Sequence, residues 1–157
     1  MAYRTFCLYN IDKPVGKGCA NAPNDVRLIQ GLLGLITKDA RVVPFLEKLC
    51  TEKKLGKLPA LPPASGAYNA ATEFWILAMQ HFMNVRSKVT ADGVVHPLPS
   101  GNNSFAPVFQ SGGGTQYTLA HLNKLAILYS SRGFVELGDQ QKLCHTVHLD
   151  GSTIIVG

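Results

Sequence analysis

Apolar residues recur at three- and four-residue spacing in four separate stretches, and this spacing predicts four helices. The first stripe ends near Ile36, and either Asn24 or Asp25 is well placed to cap the start of that helix. A second, shorter helix is predicted in "VVPFLEKLCTEKK", where Pro44 falls in the first turn. The three prolines of "LGKLPALPPASG" then hold the chain extended, so this helix cannot continue.

The third and fourth predicted helices have clearer boundary signals. Asn69 is a favourable N-cap for the third helix, which is apolar over most of its circumference and is therefore expected to be central. The fourth helix carries apolar residues from Leu119 to Tyr129. Thr118 is its predicted cap, and Gly133 is predicted to stop it.

Near both ends of the chain the apolar period changes to two, which predicts strands. Residues 3–11 alternate and are rich in aromatic side chains, and residues 143–156 alternate around an Asp150-Gly151 turn typical of a hairpin. We expect these terminal strands to form one small antiparallel β-sheet. The predicted fold class is therefore mainly α, with no internal repeat evident.

Length and composition predict one globular domain over residues 1–157, because 157 residues with 46% hydrophobic content suffice for a core. No apolar run approaches the ~20 residues of a membrane helix, so no membrane span is expected. The net charge of +5 favours anionic partners. Since no basic run exceeds Lys53-Lys54, and the Arg residues are scattered, no nucleic-acid partner is expected.

The N-terminal stretch and the cysteines bear on location and cofactors. "MAYRTFCLYNIDK" lacks the charged segment and apolar run of a signal peptide, so we expect cytoplasmic synthesis. Export to the periplasm or to a target cell would then need a dedicated secretion system. The four cysteines are widely spaced without a Cys-x-x-Cys pair, so neither a metal site nor another cofactor is predicted.

Several motifs, taken in order, resemble the peptidoglycan-binding-like domain family. "NDVRLIQGLLGLI" is similar to its opening helix, and "SGAYNAATEFWILAMQHF" to its Gly-x-Tyr-x-x-x-Thr turn and second core helix. "ADGVVHP" resembles its Asp-Gly-x-Val-x-Pro turn, and "YTLAHLN" its closing helix. The resemblance covers residues 22–129 and implies a three-helix core. Residues 37–65 form a longer link than is usual, and Met79 replaces an aromatic residue before Gln80.

The resemblance implies non-catalytic binding of cell-wall peptidoglycan or its stem peptide. The candidate ligand-binding residues are Tyr68, Asn69 and Thr72, around a helix N-terminus that favours a carboxylate, together with Asp92 and His96 in the turn. Each has a structural interpretation as well. Asn69 and Thr72 would be caps, Tyr68 would pack, and Asp92 would form a turn with the following glycine.

Two other functions remain open. The same fold could serve as a protein-interaction adaptor or accessory protein, with a secreted effector or a part of the secretion machinery as its partner. Stand-alone proteins of this kind resemble accessory parts of bacterial contractile secretion systems. The third function is a small wall hydrolase, which would need paired carboxylates. Glu73 has no second carboxylate on its helix, and Cys144 and His148 would lie roughly 13 Å apart along a strand, so no catalytic residue is predicted.

Overall fold

The protein is mainly helical, as the spacing of apolar residues predicts. The computed structural model describes residues 2–85, 87–98, 117–137, 142–150 and 153–156, with side chains described between residues 8 and 137. None of the helices it describes is long and apolar enough to cross a membrane. The described residues form four helices, which are α1 (Pro23–Ile36), α2 (Val42–Glu52), α3 (Ala70–Asn84) and α4 (Thr118–Val135).

Three strands lie near the two ends of the chain. The first strand pairs antiparallel with the second, placing Cys7 opposite Cys144, and the second pairs antiparallel with the third, placing Val147 opposite Val156. The order across the sheet is therefore the order along the chain. The strands are β1 (Ala2–Tyr9), β2 (Lys142–Asp150) and β3 (Thr153–Val156).

Helix α1 begins at Pro23, and no side chain caps it. The prediction that Asn24 or Asp25 caps this helix was wrong, because the helix already begins at Pro23 and both residues therefore lie within its first turn, whereas a cap residue precedes the helix. The Asp25 carboxylate is buried and accepts the backbone N–H groups of Asp12 and Lys13, each at 3.1 Å. It therefore fixes the loop after β1 to the first turn of α1.

Helix α4 differs from the prediction at both ends. Tyr117 is its N-cap residue, Thr118 is already helical, and the helix continues beyond Gly133 after a break at Ser130, where φ is −155° and ψ is 64°. A glycine ends a helix by adopting a left-handed conformation. Gly133 instead permits close packing of α4 on α1, since a Cβ atom there would lie 2.6 Å from the Leu35 side chain.

The cap predicted for α3 is confirmed, and the helix is largely enclosed by protein. Asn69 accepts the N–H of Thr72 at 2.8 Å. Trp75, the single tryptophan, is 2% exposed and donates its indole N–H to the carbonyl of Pro59 at 3.0 Å. This bond anchors the proline-rich connection between α2 and α3.

The end of β1 is fixed to α4 by a side chain that substitutes for a neighbouring strand. The Asn123 amide oxygen accepts the N–H of Tyr9 at 2.8 Å, and its NH₂ group donates to the Tyr9 carbonyl at 3.1 Å and to Leu119 at 2.8 Å. The Tyr9 hydroxyl donates to the Phe134 carbonyl at 2.6 Å, and the two rings pack edge-on at 4.8 Å. Tyr9 and Asn123 are both buried, so each of these hydrogen bonds replaces one that the unfolded chain makes to water.

The loop after β1 also holds the turn that precedes α4. Val15 and Val95 exchange two backbone hydrogen bonds, of 3.0 and 2.8 Å. The buried Asn10 side chain accepts the N–H of Leu98 at 2.8 Å and donates to its carbonyl at 3.2 Å. These contacts fix both ends of residues 95–98 against the N-terminal loop.

Stability should decrease in acid because of His121 on α4. Burial, with a smaller effect of the Lys124 charge, lowers the pKa of His121 to about 4 from 6.5. Between these pH values the unfolded chain binds a proton that the folded protein does not, so stability falls as the pH decreases from 6.5 to 4. We expect this histidine to contribute a loss on the order of 3 kcal/mol, measured by urea unfolding across this range. His121→Gln should flatten the profile, and an equally steep profile in that variant would contradict the assignment.

Candidate functional site

A fully buried glutamine on α3 holds the turn before α4. The Gln80 side-chain oxygen accepts the N–H of Gly93 at 2.7 Å. Its NH₂ group lies 3.0 Å from the Val94 carbonyl, 3.0 Å from the Thr118 hydroxyl and 3.2 Å from the Asp92 carboxylate. One side chain thus connects α3, the turn and the first residue of α4.

Helix α1 carries the same arrangement for the turn before α3. Gln30 accepts the N–H of Gly66 at 3.0 Å and donates to the Ala67 carbonyl at 2.9 Å and the Thr72 hydroxyl at 3.0 Å. In both turns the glycine has a positive φ, of 85° and 77°, which favours glycine over other residues. The structure therefore repeats a hydrogen-bonding device that the sequence did not reveal as a repeat.

The helices after these two turns begin differently. Helix α3 is capped by Asn69 and has Glu73 in its first turn. Helix α4 follows Tyr117, which makes no side-chain capping bond, and its first turn has no acidic residue. The first N–H groups of a helix lack intrahelical acceptors and lie at the positive end of its dipole. Of the two N-termini, that of α4 is therefore the more favourable for an external anion.

A cleft of about 440 Å³ lies beside this uncapped N-terminus. Asp92 and His96 are both exposed at the cleft, and the Asp92 carboxylate accepts the N–H of Val94 at 3.0 Å, which stiffens the turn. The volume is within the range of roughly 300–1,000 Å³ for small-ligand sites. The lining residues are Thr90, Asp92, Val94, His96, Pro97, Tyr117 and Thr118.

Two of the predicted site residues, Asp92 and His96, thus share the cleft, whereas the other three lie at the N-terminus of α3. Thr72 has no exposed surface, and its hydroxyl donates to Asn69 at 3.0 Å. Asn69 is exposed, but its side-chain oxygen is used by these capping bonds. A ligand contact at this helix would consequently use the NH₂ group of Asn69 or the exposed part of Tyr68.

Tyr68 is partly buried, and its hydroxyl oxygen is inaccessible and has no hydrogen-bond partner within the described part of the chain. Burial, followed by the charges of Glu73 and Cys19, raises the pKa of Tyr68 to about 12. The hydroxyl is therefore neutral at physiological pH. An external ligand could reach this donor only if the groups that cover it moved.

Replacing Tyr68 by phenylalanine should leave the free energy of unfolding unchanged or raise it by up to ~1 kcal/mol, because an unpaired buried hydroxyl is removed. Urea unfolding followed by Trp75 fluorescence measures this. The matched control is Tyr9→Phe, which breaks a 2.6 Å bond and should cost about 1–2 kcal/mol. Losses of equal size in the two variants would show that the Tyr68 hydroxyl is bonded in the folded protein.

Sequence reasoning did not select the residues that shape the cleft beside the turn. The sequence identifies Gln80 only as a position of the resembled family and predicts Thr118 as a cap, whereas the Thr118 hydroxyl lies 3.0 Å from the Gln80 NH₂ group. One signal was available: a glutamine within an apolar helix has to find internal partners. No comparable signal in the sequence shows that Tyr117, which cannot cap a helix, lies at the N-cap position of α4 and in the wall of the cleft.

The part of the chain with described side chains contains no group of three or more His, Cys, Asp or Glu residues that could hold a metal ion. The side chains of Cys144, His145 and His148 lie outside the described residues.

Comparisons with known proteins neither support nor contradict the family resemblance. No family model matches the chain, and no significant match was found among curated proteins or solved structures.

Proposed function

We propose that the protein binds cell-wall peptidoglycan, through a carboxylate of its stem peptide, without catalysing a reaction. The observation that carries this proposal is that, among the described residues, no side chain caps the N-terminus of α4, which lies beside the cleft. A carboxylate can accept the free N–H groups of a first helical turn and is stabilised by the helix dipole.

The other walls of the cleft suit the remainder of a peptide. Both hydrogen bonds that hold Asp92 in its turn use the same carboxylate oxygen, Oδ1, so within the described part of the chain Oδ2 is left to pair with a ligand ammonium group. Pro97 and Tyr117 supply apolar surface, and the exposed His96 supplies a polar ring. A peptide with both charged groups, such as a wall stem peptide with a diamino acid, fits this combination.

The repeated glutamine device supports the fold that the resemblance implies. Gln30 and Gln80 lie in the two motifs that resemble the family's first two core helices, and they fix the turns before α3 and α4 respectively. We infer that α1, α3 and α4 form the family's three-helix core. Helix α2 then belongs to the longer link of residues 37–65, and the terminal strands form the small sheet beside the core.

Two substitutions at Tyr117 test the proposed contact. Both remove the ring, but Tyr117→Asn adds an N-cap like that of α3, whereas Tyr117→Ala leaves the N–H groups free. The asparagine competes with a ligand carboxylate, so Tyr117→Asn should bind purified insoluble peptidoglycan about tenfold more weakly than Tyr117→Ala. It should nevertheless be the more stable variant, by about 1 kcal/mol.

Two salt concentrations separate a specific site from the attraction of a +5 protein to an anionic polymer, because salt screens long-range attraction. Retention of the wild type at high salt, with the expected order of the two variants, supports the proposal. Equal retention of the two variants, or loss of all retention at high salt, contradicts it.

A further inference from the structure

The pairing of β1 with β2 places two of the four cysteines directly opposite each other. Cys7 of β1 is the register partner of Cys144 of β2. Residues directly opposite in an antiparallel pair lie on the same face of the sheet, with Cα atoms about 4.5–5.5 Å apart. A disulfide requires Cα atoms about 4.4–6.8 Å apart. The pairing therefore gives these two positions a separation that a disulfide can span.

The position of β1 is fixed by the helices, two residues beyond Cys7. Tyr9 is 1% exposed, and its N–H and carbonyl bond the Asn123 side chain of α4 at 2.8 and 3.1 Å. A shift of β1 by one residue would break both bonds and would carry Cys7 to the other face of the sheet. The contacts with α4 thus favour the one register in which the two cysteines are opposed.

A bond between these cysteines would join the two ends of the chain. Within the described residues, β3 pairs with β2, and β2 pairs with β1, so the β2–β3 hairpin is connected to the helices through β1. Without a covalent bond, this connection consists of the strand pairing alone. A disulfide at this point would hold the hairpin against β1 even when the strand pairing opens.

We propose that Cys7 and Cys144 form a cross-strand disulfide when the protein meets a small-molecule disulfide such as oxidised glutathione. One cysteine thiolate attacks a sulfur of the oxidised glutathione, which leaves a mixed disulfide and releases one glutathione thiolate. The other cysteine thiolate attacks the protein sulfur of the mixed disulfide and releases the second glutathione thiolate. The protein loses two electrons to glutathione, and the two thiol protons pass to the released glutathione. The bond does not depend on ligand binding at the cleft.

The other two cysteines are poorer partners for exchange. Cys50 of α2 is 1% exposed, and burial, followed by the charge of Glu47, raises the pKa of its thiol. Because the thiolate is the form that attacks a disulfide, Cys50 should exchange slowly. Cys19 lies in the loop before α1, near enough to Tyr68 to contribute to raising the pKa of that hydroxyl. Both thiols are free, and neither has a register partner in the sheet.

The test is to treat the dilute, folded full chain with oxidised glutathione, alkylate the remaining thiols, and map the linked peptides by mass spectrometry. We expect one linked pair, Cys7 with Cys144, and two alkylated thiols. The same reaction in urea is the reference. Cys7 lies 12 positions before Cys19 and 137 before Cys144, so the unfolded chain should form the distant pair about 40-fold less often than the near one. A reversal of this preference in the folded protein can come only from the fold.

Two variants separate the pair from the remaining thiols. Cys7→Ser removes the second attacking thiol, so Cys144 should retain glutathione as a mixed disulfide. Cys19→Ser is the matched control and should form the linked pair as the wild type does. The oxidised wild type should also unfold at a temperature about 10 °C higher than the reduced form, because the bond closes a long loop. This difference should disappear in Cys7→Ser and persist in Cys19→Ser.

Several results would overturn the proposal. One is four alkylated thiols after oxidation of the folded protein, or glutathione retained on Cys144 in the wild type. Another is a main product that contains Cys19 or Cys50, or that links two chains. A third is the same distribution of pairs with and without urea. A dominant Cys7–Cys144 pair that forms only in the folded protein and survives in Cys19→Ser supports it.

Discussion

Replacing Gln80 by leucine should lower the free energy of unfolding by about 3–5 kcal/mol, one of the two largest losses we expect from a single substitution. Leucine has a similar size but cannot form hydrogen bonds, so the N–H of Gly93 and the carbonyl of Val94 lose their Gln80 partner. The Thr118 hydroxyl and the Asp92 carboxylate each lose a contact too. Because the Gln80 side chain is itself fully buried, water cannot take its place without disturbing the turn.

Urea unfolding measures the loss, with the fluorescence of the buried Trp75 as the signal. Gln30→Leu is the matched variant, since it removes the equivalent bonds to Gly66, Ala67 and Thr72. It should destabilise comparably but leave the amide resonances at the start of α4 in place, whereas Gln80→Leu should move them. A loss below about 1 kcal/mol in Gln80→Leu would mean that the turn holds α4 without this side chain.

The second large effect is expected from Asn123→Leu, which should cost about 3 kcal/mol. Its amide bonds both the N–H and the carbonyl of Tyr9, so the change removes the attachment of the end of β1 to α4. The N–H of the buried Tyr9 would lose this acceptor, which is more costly than the loss of an exposed bond. Core contacts of neighbouring apolar residues, including Leu8 and Ile11, would weaken as well.

Hydrogen exchange locates this loss, because the amide proton of Tyr9 should exchange much faster in Asn123→Leu. Asn24→Leu serves as the control. Asn24 is exposed and its side chain has only a 3.4 Å contact with Arg27, so a change within about 0.5 kcal/mol is expected. Unchanged protection of Tyr9 in Asn123→Leu would show that the strand holds its position through β2 alone.

The helices could be predicted from the sequence because their apolar stripes are local signals. Four stripes predicted four helices, and the structure describes four, within a mainly helical protein. The cap of α3 was also predictable, since Asn69 contacts an N–H group only three residues away. Both signals involve residues close together in the chain.

The ends of α1 and α4 could not be predicted, because contacts between distant residues decide them. Asp25 has the chemistry of a cap, but its carboxylate bonds the loop after β1. Gly133 has the chemistry of a helix stop, but its missing side chain makes room for Leu35 of another helix. A rule based on neighbouring residues in the sequence cannot detect either of these long-range contacts.

The candidate site was predictable only in part, for the same reason. The Asp-Gly motif identified the turn at Asp92, and the structure places that turn in the wall of a cleft. The difference between the two helix N-termini depends on Tyr117 having no capping bond, which appears only once the beginning of α4 is known. Binding by Asp92, His96 and the residues near Tyr68 stays a prediction.

The most direct test of carboxylate binding at the cleft is an NMR titration of the isotope-labelled protein with a soluble wall stem peptide. The peptide is used in two forms, one ending in a free carboxylate and one in a carboxamide. We predict that the carboxylate form shifts the backbone amides of Thr118 and the next two residues, together with those of Asp92 and His96. The carboxamide form should bind about tenfold more weakly, because it loses the charge-assisted bonds. Equal affinity of the two forms, or shifts confined to the start of α3, would contradict carboxylate binding at the cleft.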